Sequence, residues 1–256
     1  MINDFEQYLG YMIQEPTLEE LNHAIRHFML KVPFENIDVQ NKKEISVEVN
    51  DLFNKVVKQQ RGGFCYELNG LFHYYLKEKG YKVSYAAGTI KGPEGWRMLG
   101  SHMLNLVDID GQLHVADVGF GDLPTQAMPI DGPPITDQNG VFRAIGIDGK
   151  WFEVQKQEEQ DFKVLYKAEY APKSLSEFSE AIDYNQHSPE SIFVRKLLIT
   201  QTKENGRATM TENYMSVITP ISKKRFKVTA ENYRQLLHEN FNLDLKINRF
   251  KQETDS

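Results

Sequence analysis

Apolar residues recur at helical spacing in three early segments of the chain and in short strand-like runs after them. Leu18, Leu21, Ile25, Phe28 and Met29 form the first helical stripe. Thr17-x-x-Glu20 in front of it is a capping box, and Pro33 ends the segment. Leu52, Phe53, Val56 and Val57 share one face of a second helix predicted over about Val49–Gln60. A third helix is predicted from Cys65 to Lys79, with Leu68, Leu71, Phe72, Tyr75 and Leu76 at helical positions and Gly80 as its C-terminal cap. Together they predict a small bundle with Cys65 at one helix end, facing the β part.

Val83–Ile90 reads as a strand. His102–Ile109 and Gln112–Val118 read as a hairpin around Asp110-Gly111, the strongest short hairpin signal. Asp148-Gly149 predicts a second hairpin, joining Phe142–Ile147 to Lys150–Lys156, and Phe162–Tyr166 adds a strand. Asp131-Gly132-Pro133-Pro134 is a loop signal. Several short antiparallel strands with turns between them predict a barrel or a strongly curved sheet. Beyond them, a short helix is expected over Ser174–Ile182, a turn at Asn205-Gly206 and a helix over Ala230–Asn240. The pattern divides the chain into a helical part over 1–82, a β part over 83–187 and a mixed tail over 188–256. No internal repeat or low-complexity tract interrupts it.

Composition narrows the function. A chain of 256 residues, 40% of them hydrophobic, can bury a substantial core. Its formal charge of −6 argues against a general nucleic-acid binder. Met1-Ile2-Asn3-Asp4-Phe5-Glu6 lacks the basic start and apolar core of a signal peptide. No apolar run approaches the ~20 residues of a membrane span. A cytoplasmic location is expected, where a thiol stays reduced.

The candidate chemistry starts at Cys65, the only cysteine. A single cysteine forms no intramolecular disulfide and no thiolate metal cluster. It lies where the Gly62-Gly63 turn enters a helix, beside unpaired N–H groups and the positive end of the helix dipole, a setting that favours the reactive thiolate form. The alternative is an inert buried cysteine. The Asp110-Gly111 turn fixes a register in which Ile109 faces Gln112, Leu104 faces Asp117 and His102 faces Gly119. His102 and Asp117 then share a face as diagonal neighbours, while His114 points the other way. An imidazole beside a carboxylate is the base and orienter that a nucleophile needs. Gly119 opposite His102 is expected to leave room for a ligand. His23 and His27 stand at i, i+4, but no further zinc motif accompanies them, and no metal is expected. There is no Walker A sequence. The same three residues would serve a papain-like or transglutaminase-like hydrolase, and the residues alone do not separate hydrolysis from acyl transfer.

Arg61-Gly62-Gly63-Phe64-Cys65, Ser101-His102-Met103 and Ala116-Asp117-Val118-Gly119-Phe120-Gly121, in this order, resemble the arylamine N-acetyltransferases of bacterial type. Pro33-Phe34-Glu35-Asn36, Ser188-Pro189-Glu190-Ser191-Ile192-Phe193 and Glu239-Asn240-Phe241-Asn242-Leu243 extend the resemblance over nearly the whole chain. Family members often carry arginine where this chain has Tyr11, and the tail is shorter than in vertebrate members. The resemblance implies an α+β fold: an N-terminal helical bundle, a central antiparallel β-barrel and a C-terminal α/β lid around a cysteine-protease-like Cys–His–Asp core. It implies Cys65, His102 and Asp117 as the catalytic residues, Phe34 and Phe120 against the substrate, and Thr202 against coenzyme A. It implies acetyl-CoA as donor, with arylamines, arylhydrazines and arylhydroxylamines as acceptors in the acetylation of xenobiotics. Glu35 and Arg61 are expected as a structural ion pair, and the Lys91–Gly100 loop with Arg97 as a candidate for the CoA pyrophosphate.

Overall fold

A computed structural model describes residues 1–250. The chain opens with α1 (Ile2–Leu9), α2 (Leu18–Lys31), the two-residue β1 (Phe34–Glu35), α3 (Ile37–Gln40), α4 (Val49–Phe53) and α5 (Cys65–Glu78). The Thr17 side chain accepts from the Glu20 N–H, and the predicted apolar stripe of α2 is buried except for Leu18. Tyr11 donates its hydroxyl to Glu20 at 2.9 Å and stacks on His27. The second predicted helix differs from expectation. After α4 the chain makes a π-turn over Asn54–Lys58, in which the Gln59 N–H reaches back to the Asn54 carbonyl. The wider turn keeps Val56 and Val57 buried while Lys55 points at the start of α5.

The middle of the chain contains β2 (Lys82–Gly92), β3 (Gly95–Trp96), β4 (His102–Ile109), β5 (Gln112–Ala116), β6 (Met128–Pro129), β7 (Ile135–Asp137), β8 (Gly140–Gly146), β9 (Trp151–Glu158) and β10 (Asp161–Glu169). Their order in the sheet is β6-β5-β4-β2-β10-β9-β8-β7, with β3 paired to β2. A parallel bridge between Ile130 and Ala144 brings the two ends together, making a nearly closed barrel. Leu104, Leu106, Val115, Phe142, Phe152 and Val154 fill its interior. Met103, Val107 and Ala116 alternate to the outside, where they pack on Leu68, Leu71 and Phe72 of α5. The helix that begins at Cys65 therefore lies across the outer face of β4 and β5.

Ile109 pairs with Gln112 around a turn in which Asp110 and Gly111 both have positive φ, the two-residue turn expected. The second hairpin is one residue longer than expected, because Gly146 pairs with Phe152. The Asp148 carboxylate accepts from the N–H groups of Lys150 and Trp151 and turns the chain there.

The tail begins with a 3₁₀ turn (Leu175–Phe178), α6 (Ser179–His187) and α7 (Ile192–Arg195). It continues into β11 (Ile199–Lys203), β12 (Gly206–Met210), β13 (Tyr214–Thr219), β14 (Ser222–Lys227) and α8 (Tyr233–Phe241). The turn between β11 and β12 falls on Glu204-Asn205, and Gly206 is already paired with Lys203. The sheet order β1-β11-β12-β13-β14 reaches back to Phe34 and Glu35, which pair with Thr200 and Ile199. One face of this sheet, with Ile199, Ala208, Met210 and Met215, packs on Leu237 and Phe241 of α8. The opposite face carries Phe34, Thr200 and Thr202. No helix among the described residues is long and apolar enough to cross a membrane.

Candidate active site

Cys65 is the first residue of α5, after a turn that is locked from below. A side chain at Gly62 would collide with the Pro33 carbonyl, and one at Gly63 would stand 2.6 Å from the Glu67 carboxylate. The turn therefore packs backbone on backbone, with the Glu35 N–H donating to the Gly63 carbonyl at 2.8 Å. Glu67 accepts from the Phe64 N–H at 3.1 Å and from Lys55 Nζ at 2.6 Å. Lys55 also meets Asp38, and Arg61 bridges Asp38 and Glu35. The expected Glu35–Arg61 pair is thus one part of a buried chain of five alternating charges under the nucleophile. Burial pushes the Glu67 carboxyl up to about 7, with Lys55 opposing the rise.

β5 stops at Ala116 because the next backbone donors are taken elsewhere. The Val118 N–H donates to Asn69 Oδ1 at 3.0 Å, and the Gly119 N–H to Asp117 Oδ1 at 2.9 Å. Asp117 leaves the ladder and comes closer to His102 than a diagonal sheet neighbour would. His102 Nε2 donates to Asp117 Oδ2 at 2.6 Å. Tyr166 donates its hydroxyl to the same oxygen at 3.0 Å, and Asn69 Nδ2 donates to Oδ1 at 2.9 Å. With Nε2 committed to Asp117, Nδ1 is the nitrogen left for the Cys65 thiol, which favours the charged ring.

The electrostatics follow from these contacts. Burial works against a charge on His102, but the Asp117 carboxylate and the hydrogen bonds to Asp117 and Cys65 outweigh it and push the imidazolium up to about 10. Burial likewise opposes a charge on Asp117. The His102 charge and the donors His102, Asn69 and Gly119 nevertheless hold its carboxyl below the ordinary range. The ring is walled by Phe120, at 5.5 Å between centroids, and by Tyr166 at 5.1 Å. The three groups are almost sealed: Cys65 is 2% exposed, His102 1% and Asp117 4%.

Gly119 corrects the sequence reading. It does not open space for a ligand, because α5 already occupies that space. A methyl group there would stand 2.5 Å from Asn69 Nδ2 and 2.8 Å from the Cys65 Cα. Phe34 is buried against Phe193 at 5.9 Å, and Phe120 is half-buried beside His102. Thr202 is buried on the face of the second sheet that meets the barrel, where Asn139 Nδ2 donates to it at 3.3 Å. His23 is exposed and tilts against Tyr11, while His27 Nδ1 donates to the Leu9 carbonyl at 3.2 Å. Among the described residues, no three of His, Cys, Asp or Glu gather as metal ligands would.

The sequence reading passed over Asn69, Tyr166 and Phe193. Asn69 was within reach, since i+4 places it one turn beyond Cys65 on the same helix face. Tyr166 and Phe193 arrive from distant segments. Phe193 lies edge-on to Phe64 at 5.7 Å, beside the nucleophile. A cleft of about 470 Å³ opens next to Ser101, the residue before His102, and Arg97, Asn185, Phe193, Arg195 and Lys196 line it.

A family described as N-acetyltransferase matches residues 17–250. Among curated relatives, the pineal gland arylamine N-acetyltransferase isozyme NAT-10 of Gallus gallus is 28% identical over 95% of each chain. An arylamine N-acetyltransferase of Bacillus cereus superposes with a TM-score of 0.88 at 25% identity, covering 95% of this chain and 98% of its own. That enzyme is described as having a Cys-His-Glu triad, where this chain has Asp117 as its carboxylate. An arylamine N-acetyltransferase of Mycobacterium smegmatis shares the fold at a TM-score of 0.89 and 22% identity, covering all of this chain and 99% of its own. A cysteine at a helix start, a buried His–Asp pair beside it and a family match over nearly the whole chain converge: this protein belongs to the arylamine N-acetyltransferase family and is an acyltransferase.

Proposed function

We propose that this enzyme transfers the acetyl group of acetyl-CoA to arylamines and arylhydrazines, and to the oxygen of arylhydroxylamines, through an acetyl-Cys65 intermediate. The observation that carries the reading is the buried 2.6 Å hydrogen bond from His102 Nε2 to Asp117 Oδ2, beside the start of the helix that carries Cys65; it supports a charged ring with Nδ1 free for the thiol. The charged ring stabilises the Cys65 thiolate, which attacks the thioester carbonyl. The N–H groups of Cys65 and Tyr66, in the first turn of α5, precede the helix's own hydrogen bonds and receive the tetrahedral oxyanion. The intermediate expels the CoA sulfur, which takes a proton from His102. Neutral His102 then accepts a proton from the amine as its nitrogen attacks the acetyl-cysteine. Collapse releases the N-acetyl product and restores the Cys65 thiolate beside a protonated His102. One site thus serves two half-reactions, and ping-pong kinetics follow.

Phe34, Phe120 and Phe193 supply apolar walls suited to a flat aromatic acceptor. Arg97, Arg195 and Lys196 in the cleft beside Ser101 suit the CoA pyrophosphate. Thr202 remains the proposed contact from the second sheet, and no metal takes part. The proposed compartment is the cytoplasm, where the thiol stays reduced.

Intact mass after rapid mixing with acetyl-CoA, followed by an arylamine chase, tests the reading. One acetyl group should appear on the wild type, be absent from Cys65→Ser and pass to the amine. An acetyl group lost to water at one rate with or without amine would make the enzyme a hydrolase instead.

A further inference from the structure

The carbonyl of Ser101 belongs to no strand ladder, although it immediately precedes the catalytic histidine; the ladder of β2 and β4 begins at Gly88 and His102. Side chains from two other elements satisfy it. Tyr66, the residue after Cys65, donates its hydroxyl to this carbonyl at 2.7 Å. Asn185 of α6 donates to the same carbonyl at 3.2 Å and to the Tyr66 hydroxyl at 3.0 Å. The other end of the Asn185 amide accepts from Ser191 Oγ at 3.2 Å. Ser191 caps α7, accepting from the Phe193 N–H at 3.2 Å. A continuous hydrogen-bonded path therefore runs from the backbone of Phe193, through Ser191 and Asn185, to the lead-in of His102 and the second residue of the nucleophile helix.

Burial makes this path more than incidental. Tyr66, Ser101, Asn185 and Ser191 are all buried, and Asn185 is one of only two buried residues on α6, with Ala181. A leucine would fill that position with less desolvation cost, whereas a buried amide needs its donors and acceptor paired, as they are here. We infer that Tyr66 and Asn185 are positioning residues: they fix the reach from Cys65 to His102 and hold Phe193 in register with both. The inference rests on the reading of Cys65 and His102 as nucleophile and base. Tyr66 carries the first function, since it joins the two residues' backbones through a single hydrogen bond. Asn185 carries both, since its amide is the link between Ser101 and Ser191.

Tyr66→Phe removes one oxygen and leaves the ring; Asn185→Leu removes the amide. Each is compared with wild type in the presteady-state burst of p-nitrophenol from p-nitrophenyl acetate, a small donor that has no coenzyme to place. The KM for an arylamine is then measured with acetyl-CoA as donor, and folding is checked by circular dichroism and melting. Because misplacing reacting groups by about 1 Å costs on the order of 100-fold in rate, Tyr66→Phe is expected to slow the burst at least about tenfold with little change in the arylamine KM. Asn185→Leu should slow the burst and also raise the arylamine KM severalfold, because Phe193 loses the tether that runs to Ser101 and keeps only those of Asn36 and Gln40 at its carbonyl. The double variant should be little slower in the burst than the worse single, as expected for groups acting on one carbonyl. A wild-type burst in folded Tyr66→Phe, or variants altered only in melting temperature, overturns the inference. Should Asn185→Leu not fold, Tyr66→Phe alone decides the Cys65–His102 link. A wild type without a burst, or a burst that persists in Cys65→Ser, overturns the triad reading beneath it and is distinguishable on that ground.

Discussion

Asp117→Asn is the sharpest perturbation of this site, because the two side chains have the same shape and differ in charge and donor pattern. In the native site all four hydrogen bonds to Asp117 are donated to it, by His102 and Tyr166 at Oδ2 and by Asn69 and Gly119 at Oδ1. An asparagine that turns its NH2 toward Asn69 and Gly119 leaves two buried donors facing another donor, at about 1–3 kcal/mol each; turned the other way it donates to Tyr166 and His102 and forces the opposite tautomer on the ring. The larger loss is electrostatic. Raising the imidazolium from its ordinary 6.5 to about 10 corresponds to about 5 kcal/mol of preference for the charged ring. Without the carboxylate only Cys65 still opposes burial, so His102 shifts toward the neutral ring. The acetylation rate is then expected to fall on the order of 10³–10⁴-fold, as when the orienting carboxylate of a comparable triad is neutralised. Cys65 is the only thiol, so iodoacetamide alkylation followed by mass reads its reactivity without background. The wild type should alkylate rapidly across neutral pH and the variant slowly. Equal rates at pH 7 would refute the claim that Asp117 holds His102 charged and His102 activates Cys65.

The same pair has a stability signature. His102 has a folded value above its unfolded one, so its contribution is full below about 6.5 and is lost as pH rises through about 10. The melting temperature of the wild type should fall between pH 7 and 10 by more than that of Asp117→Asn, and parallel slopes would contradict the assignment. Gly119→Ala would press a methyl group onto Asn69 and the Cys65 backbone. It should cost about 1–3 kcal/mol in denaturant melts and slow alkylation, whereas a neutral result would mean that α5 shifts freely. Lys55→Met leaves Glu67 and the Lys55 side of Asp38 without their cation and should destabilise by about 3–5 kcal/mol. Lys55→Gln combined with Glu67→Gln should recover much of that loss, because the amide pair removes the Glu67 charge and Asp38 keeps Arg61 as its cation; a double variant as unstable as Lys55→Met would argue against the Lys55–Glu67 pair as the cause.

What the sequence made legible was local. Thr17 and Glu20 announce a helix start through contacts three residues apart. Asp110-Gly111 sets a register that runs unbroken to Asn105 and Ala116 and puts His102 and Asp117 on one face; their close approach comes from Asp117 leaving the ladder. Cys65 opens its helix as its glycine turn and apolar spacing require. The illegible parts depend on segments far apart in the chain. Nothing near Phe34 signals that it pairs with Thr200, and nothing near Ile130 signals the bridge to Ala144 that closes the barrel. The second helix misleads because its apolar residues stay buried through the π-turn, in which Lys55 reaches Glu67 and Asp38 from a distant part of the chain. Gly119 misleads because an unencumbered glycine looks the same in sequence whether a ligand or a helix fills the space beside it.

Each member of the triad is in fact held by a partner outside its own element. Cys65 is fixed by the Gly62-Gly63 turn packed on Pro33 and Glu35, His102 by the Ser101 carbonyl tied to Tyr66 and Asn185, and Asp117 by Asn69 of the nucleophile helix. Asn69 and Tyr66 lie on the helix that carries Cys65, so α5 orients the base and the carboxylate as well as the thiol. A displacement of this helix would therefore carry the thiol and both tethers together. The site is stiff within itself and sensitive to whatever packs on α5, and substitutions on the outer face of β4 that loosen the helix should lower the rate while leaving all three catalytic side chains in place.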